Sequence, residues 1–278
     1  MKIRIISAVV AFALLIPILW FSDTVLFPLA MAVCAAVAAF ELVSCVGARK
    51  WYVLAPSMGV AFAGPFLTEW LGDSVVRYIV IFAVAAFVYF FLLMSIAVIT
   101  GGKLPYSAVA ETVASVVYAT AGFTSIALLR GSIEHGAWLF GLVFIAAWMT
   151  DTMAYFTGRL LGKHKLCPKI SPKKTIEGSI GGTVFCALSF LLYGFIVSKI
   201  TALNPNYVML GISGLVLSVV SQFGDLAASL IKREHGVKDY GKIMPGHGGV
   251  MDRFDSILAV APFLLLIANF STAFSFFS

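Results

Sequence analysis

Three acids stand where an apolar chain should hold none. Asp225 closes the stretch Ser221-Gln222-Phe223-Gly224-Asp225 near the end of one apolar run, and Asp252 and Asp255 open the last one. A carboxylate placed in hydrocarbon costs roughly 2.5–3.5 kcal/mol on insertion scales, so it has a partner or a job. Gln222, Asp225 and Ser229 are spaced i, i+3, i+7 and share one helical face. Asp252 and Asp255, at i and i+3, share the first turn of a helix, where capping the positive end of the dipole is the alternative use. Such oxygen ligands suit Mg²⁺, one ion or two, because that ion prefers carboxylates, waters and substrate phosphates to a closed protein cage.

Basic and glycine-rich segments lie beside these acids. The run Lys238-Asp239-Tyr240-Gly241-Lys242-Ile243-Met244-Pro245-Gly246-His247-Gly248-Gly249 leads straight into Asp252-Arg253. Its glycines permit close backbone approach, and successive N–H groups can line an anion. Lys232 and Arg233 precede it. A second basic segment runs from Asp151, Tyr155 and Arg159 on one helical face to Ser171-Pro172-Lys173-Lys174-Thr175, at the mouth of the next helix. Hydroxyls and ammonium groups at a helix N-terminus form a phosphate seat. Carboxylates that hold a metal, ringed by Lys and Arg, are the recurring parts of phosphoryl or nucleotidyl transfer. Glu41 and Glu111 also lie in or beside apolar runs, and structural pairing is their expected use.

The elements that must position these residues are membrane helices. The chain has 278 residues, 61% hydrophobic and 12% charged, with mean hydropathy +1.01. Soluble domains carry about 25% charged residues. Apolar runs near 4–21, 25–47, 52–69, 77–99, 108–129, 137–158, 179–200, 207–230 and 252–275 each suffice for a span. The fold class expected is therefore all-α: a polytopic integral membrane protein of about nine transmembrane helices, one membrane domain over 1–278. Residues 1–136 supply N-terminal helices of uncertain role and 137–278 a catalytic half with two motif loops. The N-terminus, with Lys2 and Arg4 but no A-x-A-type cleavage site, reads as an uncleaved first helix that starts in the cytoplasm.

Charge orients that arrangement. With the N-terminus inside, only Arg77, Arg130 and Lys199 of the 19 basic residues fall outside, the asymmetry of cytoplasmic loops. Both motif loops then face the cytoplasm of a cell inner membrane. The net charge of +6 orients the chain and meets anionic headgroups, with no solvated basic face for nucleic acid. Cys34, Cys45, Cys167 and Cys186 form no CxxC pair and suggest neither disulfide nor zinc. Gly178-x-x-x-Gly182 is a helix-packing pattern consistent with a homodimer.

Ser229, Lys232, Arg233, Lys238, Asp239, Gly241, Pro245, His247, Gly248, Gly249, Asp252, Arg253 and Asp255, in that order and spacing, resemble the signature of the phosphatidate cytidylyltransferases, also called CDP-diacylglycerol synthases. Met244 departs from the pattern, which favours Leu, Ile or Phe. The stretch from Asp151 to Gly178 is similar to the family's second motif region, so the resemblance covers the C-terminal half. It implies Mg²⁺-dependent transfer of CMP from CTP to phosphatidic acid, giving CDP-diacylglycerol and pyrophosphate, among membrane lipids. It also implies roles. Asp225, Asp252 and Asp255 hold metal. Lys232, Arg233, Lys238, His247 and Arg253 serve the reaction, with Asp151 in the polar network. Ser171, Lys173, Lys174, Thr175, Ser229, Gly248 and Gly249 bind substrate. A CTP-dependent polyprenol or phytol kinase and a secondary transporter are the alternatives, though no inverted repeat is visible.

Overall fold

The computed structural model describes residues 16–70, 74–243, 246, 248–270 and 275–278, with the Phe270 side chain excepted. The start of the first expected span, with Lys2 and Arg4, lies outside the described residues, as do Met244, Pro245, His247 and residues 271–274.

After a helical turn at residues 16–20 come α1 (Leu26–Cys45), α2 (Trp51–Phe66, followed by a 3-10 turn at Leu67–Glu69), α3 (Val75–Ile99), α4 (Tyr106–Gly131) and α5 (Gly136–Leu161). Two short strands follow, β1 (Lys165–Cys167) and β2 (Ser171–Thr175), then α6 (Ile176–Ile200), α7 (Tyr207–Glu234) and α8 (Met251–Phe270). Among the described residues, six helices are long and apolar enough to cross a membrane: α1, α3, α4, α5, α6 and α7. Of the other expected spans, α2 has only 16 residues, with Pro56 and Pro65 inside it. The chain is an all-α, multi-pass membrane protein. Along α3, Val76, Val80, Val84, Phe87 and Phe91 are exposed on a helix of 25 residues, about 37 Å at 1.5 Å per residue. Water would penalise such a face, whereas hydrocarbon solvates it.

The chain forms two compact units, interleaved in sequence. The first comprises residues up to Ser132 together with Glu234–Phe254, and the second Ile133–Arg233 together with Asp255–Ser278. In the first, α1, α2 and α4 pack round a core that includes Phe27, Leu42 and Phe123. The buried Ser57 hydroxyl meets the Tyr89 hydroxyl at 2.6 Å, and the rings of Phe123 and Phe254 lie 5.1 Å apart.

In the second unit α5 and α6 run antiparallel and touch through small residues. A Cβ on Gly178 would come within 2.6 Å of the Ala154 carbonyl oxygen, and one on Gly182 within 2.8 Å of the Thr150 carbonyl. The Gly178-x-x-x-Gly182 pattern is therefore used inside the chain, against α5, and does not argue for a partner copy. Gly182→Leu is expected to force the two helices apart at a cost of about 1–3 kcal/mol, the usual penalty of overpacking. Its thermal unfolding midpoint in detergent should fall below the parent's, and an unchanged midpoint would mean that the helices can slip.

The segment between α5 and α6, read from sequence as a loop, is an antiparallel hairpin pairing Lys165 with Thr175 and Cys167 with Ser171. The ladder satisfies backbone groups that an open loop would leave bare. Its entry is pinned by Glu177, which accepts hydrogen bonds from the Lys163 N–H (3.1 Å) and the His164 N–H (3.2 Å) and meets His164 Nδ1 at 2.6 Å. At the unit's opposite end the C-terminus pairs with the α6–α7 connection, Asn204 with Ser278 and Asn206 with Phe276. Alternation of the antiparallel helices thus puts the hairpin and the C-terminal end of α7 at the same end.

Candidate active site

The second unit gathers acids from three helices at that end. Gly224, just before Asp225, permits the approach: a Cβ there would lie 2.5 Å from the Ala259 Cβ and 3.1 Å from the Asp255 carbonyl oxygen. Close crossing of α7 and α8 brings Asp225 and Asp255 into electrostatic contact, and Asp255 also feels Asp151 of α5 and the ammonium of Lys232. Asp151 Oδ2 accepts a hydrogen bond from the Ser256 hydroxyl at 3.4 Å. Three like charges so grouped repel one another unless cations intervene.

One cation comes from the hairpin. Lys174 Nζ lies 2.5 Å from Asp225 Oδ2, the two side chains being 23% and 26% exposed. Strand alternation explains why Lys174 reaches inward while its neighbour Lys173 is more exposed. Lys232, in the last turn of α7, is only 8% exposed. A buried ammonium needs compensating charge, and the acids supply it.

Of these groups Asp151, Asp225 and Lys174 border a cavity of about 330 Å³, within the rough 300–1,000 Å³ range of small-ligand pockets. Asp151, Tyr155, Arg159, Lys173, Lys174, Thr175, Ser179, Gln222 and Asp225 all line it. The expected face of Asp151, Tyr155 and Arg159 is thus one wall, on which Arg159 Nη1 donates to the Tyr155 hydroxyl at 3.0 Å. Gln222 is fixed on the α7 wall: its Oε1 accepts from Ser179, and its Nε2 donates to Thr183 Oγ1 at 3.0 Å. The Thr175 hydroxyl is engaged as the N-cap of α6, accepting from the Gly178 N–H at 3.2 Å. Ser229, one turn after Asp225, points its hydroxyl toward Asp225 Oδ1 at 3.5 Å. Ser171 pairs with Cys167 in the hairpin and is not among the lining residues. Arg233, beside Lys232 in the last turn of α7, is exposed.

The glycine-rich segment belongs to the first unit and is held by two carboxylates. Asp252 Oδ2 accepts hydrogen bonds from the Tyr240 N–H (2.8 Å) and the Gly249 N–H (3.0 Å). Glu41 of α1 accepts from Val250 N–H and Met251 N–H. Gly246 and Gly248 turn through φ +78° and +91°, a region that side chains disfavour. Lys238 and Lys242, with Arg49, border a cavity of about 610 Å³ in this unit, and Arg253 stands in the first turn of α8. Sequence reading gave Glu41 and Glu111 structural pairing but no partners. Glu111 Oε2 lies 3.3 Å from His235 Nε2. An acid inside an apolar run was the available signal; contacts this distant in sequence carry none.

Among the described residues, no three His, Cys, Asp or Glu side chains close round a single ion. In kind, the donors suit Mg²⁺: the ion takes hard carboxylate oxygens and leaves its remaining positions to water and substrate phosphate, and Asp151, Asp225 and Asp255 each carry such oxygens.

A family model described as the cytidylyltransferase family matches residues 2–271. The chain is 35% identical over 274 residues to a phosphatidate cytidylyltransferase of Staphylococcus haemolyticus, covering 96% of this chain and 98% of that one. Its identity to the Staphylococcus epidermidis and Staphylococcus aureus proteins of the same name is 40% over 177 and 178 residues, 64% of this chain and 65% of each of those. The likeness extends well beyond the C-terminal half to which the motifs confined it, and takes in α1–α4.

Proposed function

The chain belongs to the cytidylyltransferase family, and on that premise we propose that it transfers CMP from CTP to phosphatidic acid, giving CDP-diacylglycerol and pyrophosphate. The observation that carries the reading is the cavity walled by Asp151, Asp225, Lys173 and Lys174, with Asp255 in electrostatic contact with both acids and with Lys232. A phosphate oxygen of phosphatidate attacks the α-phosphorus of CTP, and the bond to the β-phosphate oxygen breaks to release pyrophosphate. The attacking oxygen is already anionic near neutral pH, so the chain need supply no strong base. What the reaction needs is two polyanions aligned and their charge countered.

Lys173, Lys174, Lys232 and Arg159 counter phosphate charge, Gln222 and Ser179 orient polar substrate groups, and Asp151 and Asp225 keep the lysines in place. In the second unit Asp225 and Asp255 are the acids that would hold Mg²⁺, and in the first unit Asp252 is the acid with the charge to do so. When bound, that ion supplies Lewis-acid polarisation of phosphate oxygens. In the first unit Lys238 and Arg253 have the charge to bind phosphate, and Gly248 and Gly249 the backbone freedom. We place the N-terminus and both basic segments on the cytoplasmic side of the cell's inner membrane, where CTP arrives; the distribution of basic residues supports this.

Purified protein given CTP, phosphatidic acid and Mg²⁺ should yield CDP-diacylglycerol and pyrophosphate. A phosphorylated lipid with CDP would instead mark a CTP-dependent lipid kinase. Neither product, with solute flux in sealed vesicles, would mark a transporter.

A further inference from the structure

Glu41 sits in α1, 1% exposed, with both carboxylate oxygens committed to the same short stretch of chain. Oε1 accepts the Val250 N–H at 3.1 Å and Oε2 the Met251 N–H at 2.8 Å. Those are the amides at the start of α8, where an anion is also favoured by the helix dipole. A carboxylate buried in an apolar helix costs several kcal/mol unless hydrogen-bonded, and two amides at a helix start offset that cost.

The loop closes tightly on this group. A Cβ on either Gly241 or Gly249 would overlap the Glu41 carboxylate, and a Cβ on Gly241 would also lie 3.1 Å from the Gly249 Cα. Asp252 clasps the same turn from the other side, through Tyr240 and Gly249. Tyr240 and Gly249 are thus stapled locally, and Met251 by a residue 210 positions away.

We propose that Glu41 is a positioning residue for the transfer reaction, fixing, through the amides of Val250 and Met251, the turn that presents Asp252 and Arg253. This rests on the CMP-transfer reading above. A side chain needed only for packing would tolerate glutamine, which has the same shape. Glutamine, however, offers one carbonyl acceptor and one NH2 donor, so one of the two amides would face a donor.

The test uses the full chain in detergent or lipid. Glu41→Gln is expected to lower kcat by roughly 10-fold or more, the scale of one lost charge-assisted hydrogen bond. KM for CTP and for phosphatidic acid should stay within about threefold, with the unfolding midpoint near the parent's. Hydrogen exchange at the Val250 and Met251 amides should quicken by about the same factor as the kcat loss. Gly249→Ala presses a methyl against the same carboxylate from the loop side, leaves α1 unaltered, and should reproduce the kcat loss. Adding Glu41→Asp, which withdraws the carboxylate by one methylene, should restore part of it. Parental kcat in Glu41→Gln overturns the proposal; should that variant fail to fold, parental kcat in Gly249→Ala does so. A parent that makes no CDP-diacylglycerol overturns the functional reading itself, a result distinct from an active parent whose Glu41 variants are equally active.

Discussion

Asp225→Asn is expected to reduce CDP-diacylglycerol formation by at least about 100-fold, some 2.7 kcal/mol of transition-state stabilisation. The substitution keeps the shape of the side chain, and its amide oxygen can still accept from Lys174, so the crossing of α7 and α8 at Gly224 should survive. What disappears is one full negative charge among Asp151, Asp255, Lys174 and Lys232. Turnover in initial-rate assays at saturating CTP and phosphatidate, beside the unfolding midpoint, reads the two effects separately.

The competing account is that Asp225 merely neutralises Lys174, as a structural ion pair. Pairing Asp225→Asn with Lys174→Met separates the accounts. Removing both partners of a structural pair is often nearly neutral, because no uncompensated charge stays behind, whereas removing one is costly. If Asp225 serves the metal and Lys174 the substrate phosphates, the double variant should be at least as inactive as Asp225→Asn alone. Recovery to within about threefold of the parent would reduce the pair to scaffolding.

Much of this arrangement was legible because the chain is mostly apolar, so each polar residue carries information. The i, i+4 spacing of Asp151 and Tyr155 predicted a shared wall, and the cavity has one. Asp225 was marked by the cost of a carboxylate in an apolar helix, and its lysine partner was named as a substrate ligand, without the pairing between them. Strand pairing at Ser171–Thr175 was hidden because Pro172 and two adjacent lysines suggest an irregular loop, and only the ladder to Lys165–Cys167 makes it a strand. Small residues at Gly178 and Gly182 gave the close approach of helices but not its partner, since the same pattern serves a second copy or a neighbouring helix equally well. Glu41 shows the sharper limit. Its burial cost was readable, but its hydrogen bonds go to backbone amides, which have no residue type to read.

Asp252→Asn is the second large effect, again at least about 100-fold in turnover. Here the structure separates charge from shape more cleanly. Oδ2 already accepts from the amides of Tyr240 and Gly249, and an asparagine carbonyl can accept from both. The loop should therefore keep its form in Asp252→Asn, with hydrogen exchange at the Tyr240 and Gly249 amides close to the parent's. Asp252→Ala has no acceptor and should free both amides as well as lose activity. If the carboxylate acted only as a clasp, Asp252→Asn would turn over like the parent and Asp252→Ala alone would fail. If its charge serves the metal, both variants fall together in turnover while only alanine loosens the loop. Two substitutions at one position, each read by turnover and by amide exchange, therefore tell a ligand from a staple, because the side chain's two uses depend on different properties: its negative charge and the placement of one oxygen.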